Sequence, residues 1–192
     1  MKSGATVILG LVLAGLVACC QAQTFSWGRC PTVEVKNDFN TTAYFGRWFE
    51  ILRYENTRFE DGYKCIYAEY SAGDEGQIGV LNSAINAATG EPRLSGGYAY
   101  APNPEVPAKL KVQLETSFFA GDYWVLDTDY ETFAMVHSCT GLFFFNFQFN
   151  WLLSPTQTLE ADGVQAALRK FEDAGIDASR FIEADQAGCP EF

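Results

Sequence analysis

The chain has 192 residues, 24 of them acidic and 13 basic, for a formal net charge of −11. A surface this acidic repels phosphate backbones, and the Lys and Arg residues are scattered rather than clustered, which excludes nucleic acid as a partner. A single histidine, His137, and the lack of any Cys-x-x-Cys spacing argue against a metal site, so the acidity reads as a solubility feature.

Lys2 gives a short basic start, Ala5 to Ala18 is almost entirely apolar, and small residues follow around Cys20-Gln21-Ala22. This is the pattern of a secretory signal peptide cleaved after Ala22, and the apolar run is short for a spanning helix. Leu16-Val17-Ala18-Cys19 also matches a bacterial lipoprotein acylation box, a competing reading that the cysteine-rich remainder disfavours. Removal of residues 1–22 leaves roughly 170 residues, enough for one domain over 23–192 with a sizeable core. No linker, repeat or low-complexity tract divides it. Its cysteines are Cys30, Cys65, Cys139 and Cys189, an even number in an oxidising compartment, which predicts two disulfides with three possible connectivities.

Strand signals dominate from Trp48 to Leu153, in short runs rich in Val, Ile, Tyr, Phe and Trp. Turn clusters such as Ser71-Ala72-Gly73-Asp74-Glu75-Gly76 and Pro102-Asn103-Pro104 separate them. They predict eight strands near 47–55, 64–71, 77–86, 92–101, 107–117, 122–129, 132–139 and 144–153, hence a barrel or sandwich. Along the eighth, Phe143, Phe145, Phe147, Phe149 and Trp151 alternate with Phe144, Asn146, Gln148 and Asn150, so the odd-numbered aromatics share one face and the amides mostly the other. Inside a barrel such a stripe is packed core near the closed end and ligand wall near the open one.

A helix is predicted over Leu159 to Ala174, with Val164, Ala167, Leu168 and Phe171 on its apolar face, Thr158 as N-cap and Gly175 as the C-terminal stop. The tail near Phe181-Ile182-Glu183 is a further edge strand before Cys189.

Several segments together resemble the lipocalin family over nearly all of the mature chain. They are Gly28-Arg29-Cys30-Pro31, Tyr44-Phe45-Gly46-Arg47-Trp48-Phe49-Glu50-Ile51, Lys64-Cys65-Ile66, Tyr123-Trp124-Val125-Leu126-Asp127-Thr128-Asp129-Tyr130, Ser138-Cys139-Thr140 and Cys189-Pro190. The resemblance implies an all-β fold with one packed helix, an eight-stranded antiparallel up-and-down barrel, and disulfides Cys30–Cys139 and Cys65–Cys189. Gly46 then permits a tight approach to the first strand where a side chain would crowd the backbone, and Trp48 plugs the closed end. Thr128-Asp129-Tyr130 turns the chain at that same end. The family often stacks an arginine on the plug tryptophan; Pro155 stands at that place here, leaving Arg47 or Arg180 to substitute.

The implied function is a secreted carrier of a small hydrophobic ligand such as a lipid, steroid, retinoid or fatty acid. Tyr70, Asn82 and Trp151 match the family's cavity positions, with polar groups on the first two and a flat apolar face on the third. Strand parity adds Phe145, Phe147 and Phe149, and Leu110, Val112 and Leu114 share one face of the fifth strand. Phe118-Phe119, and Leu142-Phe143 after a turn at Gly141, form an apolar rim suited to a membrane, lipoprotein or partner surface. Asn40-Thr41-Thr42 is a glycosylation sequon.

No cofactor is implied beyond a bound lipid or pigment, and a bilin- or carotenoid-binding protein is the alternative carrier. A lipid-isomerising enzyme on the same fold needs a free thiol, which the implied pairing removes. His137 and Ser138 are strand neighbours and point to opposite faces, so they make no nucleophile–base pair. A third reading, an interaction protein with a collapsed barrel, predicts a filled interior.

Overall fold

The computed structural model describes residues 26–55 and 57–190. The leader assigned to residues 1–22 and the alternative acylation site at Cys19 lie outside them. Ten strands form one antiparallel sheet: β1 (Ser26–Trp27), β2 (Gly46–Tyr54), β3 (Tyr63–Ala72), β4 (Ile78–Asn86), β5 (Pro92–Tyr100), β6 (Lys109–Leu114), β7 (Gly121–Thr128), β8 (Ala134–Leu142), β9 (Phe145–Ser154) and β10 (Phe181–Glu183). Strands β2 to β9 pair in sequence order, and β9 pairs back on β2 to close an eight-stranded barrel. Closure satisfies the backbone edges that an open sheet would expose. The short β1 adds to β9, and β10 adds to β2 as the tail predicted.

Three boundaries differ from the sequence expectation. β6 ends at Leu114 because Ser117 N–H turns back to the Leu114 carbonyl at 3.0 Å. Gly141 is not a turn: it lies in β8 opposite Asn146, and the hairpin turns instead at Phe143-Phe144, with Phe143 left-handed at φ 53°. Phe143 therefore drops out of the β9 stripe. The single α-helix of the described residues, α1 (Ala161–Asp173), starts after Glu160, which provides no side-chain cap. Thr158 does not cap it either; its carbonyl accepts from Thr156 Oγ1 at 2.7 Å. At the other end Gly175 adopts φ 76°, and Ile176 N–H reaches the Phe171 carbonyl at 2.9 Å, closing the helix as predicted.

Alternation along the strands divides the apolar residues into two clusters. Trp48, Val125, Val136 and Leu153 face inward. Leu52, Tyr54, Met135 and Leu152 face outward and receive Ala167 and Phe171 of α1, with Val164 and Leu168 packed beside them. A register shift between Glu50 and Leu52 interrupts the alternation of β2, so Ile51 and Leu52 both join the outer cluster. A second shift falls between Lys64 and Tyr67, where Cys65 takes φ 55° and forms its disulfide with Cys189. Cys30 bridges Cys139. Both pairings are those the family resemblance implied.

Candidate ligand-binding site

The closed end is built from the two motifs. Gly46 adopts φ 119°, which explains the glycine; a Cβ there would meet nothing within 4 Å, so crowding is not the reason. Trp48 donates its indole N–H to the Tyr44 carbonyl at 2.9 Å, and the two rings stack with centroids 4.8 Å apart. Neither expected cation replaces the arginine. Arg47 lies over Tyr67 and pairs with Glu69, and Arg180 lies over Tyr54 and pairs with Glu55.

In the second motif, the Asp129 carboxylate accepts backbone N–H groups of Glu131, Thr132 and Phe133. Tyr130 returns its hydroxyl to the Asn40 N–H at 2.9 Å, fastening the N-terminal segment to this turn. Asn40 is exposed, and its Oδ1 accepts from Ala43 N–H.

Above this floor the barrel encloses a cavity of about 520 Å³. Of the predicted ligand residues, Tyr70, Asn82, Val112, Leu114, Phe149 and Trp151 line it. Leu110 is instead packed in the inner core. Phe145 and Phe147 continue the stripe beyond the lining, in edge contact with each other, with Phe145 against Trp27. Phe149 and Trp151 form the flat wall, nearly parallel at 20° with centroids 6.1 Å apart. Asn82 reaches the lining from β4.

The Tyr70 hydroxyl, expected to face a ligand, donates to the Tyr123 oxygen at 2.7 Å, and Tyr123 and Tyr44 hydroxyls meet at 2.9 Å. Burial pushes all three phenols above their ordinary value, so the chain stays neutral. Stripe and floor are therefore different in kind, one apolar and one hydrogen-bonded.

Two further lining residues are acidic. Glu50 projects from β2 two positions beyond Trp48, a signal the strand period carried but the motif obscured; Glu60 lies in the loop after β2, where no period applies. Burial raises both carboxyls above the usual range, Glu60 to about 7, against the opposing pull of Arg53.

The open end carries the apolar rim. Phe118 is 98% exposed, Phe119 86% and Phe143 87%, with Leu142, Phe144, Phe59 and Trp27 exposed as well. His137 and Ser138 separate as expected: Ser138 lines the cavity, while His137 is buried among other residues with Nδ1 2.7 Å from Asn150 Oδ1.

The family profile described as "Lipocalin-like domain" matches residues 39–186. Rat (Rattus norvegicus) apolipoprotein D is 37% identical over 190 residues, covering 98% of this chain and 99% of its own. This chain belongs to the lipocalin family. The Lazarillo protein of Schistocerca americana is 35% identical over 135 residues, 70% of this chain and 61% of its own. Among solved structures, insecticyanin from the tobacco hornworm Manduca sexta superposes with a TM-score of 0.74 at 28% identity, covering 86% of this lipocalin and 90% of that chain. Within the family frame, this lipocalin solves its base packing with Tyr44 on Trp48 where an arginine was expected.

Proposed function

We infer that this lipocalin carries a small hydrophobic ligand, such as a lipid, steroid, retinoid or fatty acid, inside its barrel. The observation that carries the reading is the cavity of about 520 Å³ with one aromatic wall, a placed amide at Asn82 and a plugged floor. Small-molecule sites run to about 300–1,000 Å³ and combine apolar walls with a few polar groups. A filled, collapsed barrel does not fit that volume. Titration with a panel of hydrophobic ligands tests it: emission of the wild type is quenched or shifted, and the Trp151→Phe variant responds less. Unchanged emission across the panel, with an unchanged melting temperature, overturns the carrier reading.

The parallel faces of Phe149 and Trp151 also suit a planar conjugated ligand, so a bilin or carotenoid is the second reading. The absorption spectrum of protein purified from its native source decides between them. We read the protein as a carrier without catalytic activity, because Cys30, Cys65, Cys139 and Cys189 are all bridged and the one histidine stands apart from Ser138.

The remaining parts fit a secreted carrier. The leader of residues 1–22 is removed and 23–192 acts as one domain, with Asn40 as the glycan site. The exposed rim of Phe118, Phe119, Leu142 and Phe143 touches a membrane or lipoprotein surface during transfer of the cargo. No helix of the described residues is long and apolar enough to cross a membrane.

A further inference from the structure

Glu50, Glu60 and Trp151 all border the cavity. Glu50 is 2% exposed, and neither its Oε1 nor Glu60 Oε2 accepts a hydrogen bond. Burial raises the Glu50 carboxyl, and the charge of Glu60 beside it raises it further. Arg53 Nε stands 3.4 Å from Glu50 Oε1 and 3.9 Å from Glu60 Oε2, without a hydrogen bond of its own. That one guanidinium is shared further with Asp61 Oδ1 at 3.4 Å and the Thr57 carbonyl at 3.2 Å. It offsets one glutamate and not two. Two buried carboxyls in contact resist joint ionisation, so the pair holds a proton.

We propose that the Glu50–Glu60 pair is a proton-linked subsite of the cavity wall: it takes up a proton when an uncharged apolar ligand fills the cavity, and the hold on that ligand loosens when the proton leaves. The inference rests on the carrier reading above. Cargo displaces solvent from the lining and lowers the local dielectric, which disfavours the doubly ionised pair. The pair's pKa is therefore higher in the filled barrel than in the empty one. Affinity is greatest below the empty-state value, falls as pH rises through the window from there to the filled-state value, and then levels.

Other charged groups reach this region. Arg53 of β2 and Asp61 of the following loop adjoin the pair. Arg93 of β5 lies over Tyr63, and Asp122 of β7 is held by Lys111 of β6 at 2.8 Å.

The probe is N-phenyl-1-naphthylamine, uncharged from pH 5 to 9, titrated by its own fluorescence into the full mature protein. The expected result is a Kd about tenfold weaker at pH 9 than at pH 6, which corresponds to a shift of one pKa unit. The double variant Glu50→Gln plus Glu60→Gln binds with a Kd independent of pH. Calorimetry of the wild type at pH 7 in two buffers of different ionisation enthalpy reports proton uptake, and needs no variant to fold. Binding with a flat pH profile and no proton uptake overturns the linkage and leaves the carrier reading intact. Persistence of the pH profile in the double variant overturns the assignment to this pair. Absence of probe binding at every pH overturns both readings together.

Discussion

Tyr44 stacks on Trp48 with ring centroids 4.8 Å apart, and its own carbonyl takes the Trp48 indole N–H. One residue four positions upstream thus both covers and satisfies the barrel plug, while its hydroxyl reaches Tyr123 at the cavity floor. Base packing and the hydrogen-bonded floor of the cavity share a side chain.

The Tyr44→Ala variant empties that position and is expected to lose about 3–5 kcal/mol of stability, the range for truncating a buried aromatic. Tyr44→Phe keeps the stack and gives up one hydrogen bond, about 0.5–1.5 kcal/mol. Urea unfolding separates the two. Equal losses would show that the hydroxyl, not the ring, holds the floor.

Asp129 sets an acid limit on the closed end. Partial burial acts to raise its carboxyl, but hydrogen bonds from the Thr132 hydroxyl and the N–H groups of Thr132, Phe133 and Glu131 bring it down to about 2. The folded value lies below the unfolded one of about 3.9, so the contribution is complete above that value and disappears as pH falls through about 2. Asp129→Asn should lower the urea midpoint at pH 7, and the gap from wild type should close towards pH 2. A gap constant with pH would assign the effect to geometry rather than charge.

The Cys65–Cys189 bridge spans 124 residues and ties the tail to β3. Replacing both cysteines by serine is expected to cost about 2–5 kcal/mol, chiefly through the freed unfolded chain. Thermal melting measures the loss. Thiol titration of denatured, unreduced protein should find no free thiol among Cys30, Cys65, Cys139 and Cys189, and a reactive one would revive the isomerase reading.

Phe118→Ser together with Phe119→Ser removes two almost wholly exposed rings from the rim. Liposome flotation should fall several-fold while the melting temperature stays within a degree or two, since neither ring packs in the core. Unchanged flotation would remove the membrane role from this loop.

Much of the barrel was legible because its information is local. Period-two runs placed eight strands within a few residues, the i, i+3, i+4, i+7 face from Val164 to Phe171 placed the helix, and Gly175 ended it. The site was legible only in part. Parity put Leu110 and Phe147 on the same faces as Val112 and Phe149 but could not give their height in the barrel, which separates core, wall and rim. Asn146, Gln148 and Asn150 read as the polar face opposite the aromatic stripe. They are buried in the fold, where Asn146 donates to the Gly28 and Arg29 carbonyls of the N-terminal segment.

By itself, then, the sequence determined the family, the eight barrel strands, the helix and the plug motif, all of which depend on residue type at short, fixed spacing. Tertiary structure alone decided what covers Trp48 and which glutamates meet. Glu50 and Glu60 are ten positions apart across a loop, and Arg53 faces them only because the β2 register shifts after Glu50. Electrostatics in the cavity follows from distance and burial, and neither is written in the spacing of residues along the chain.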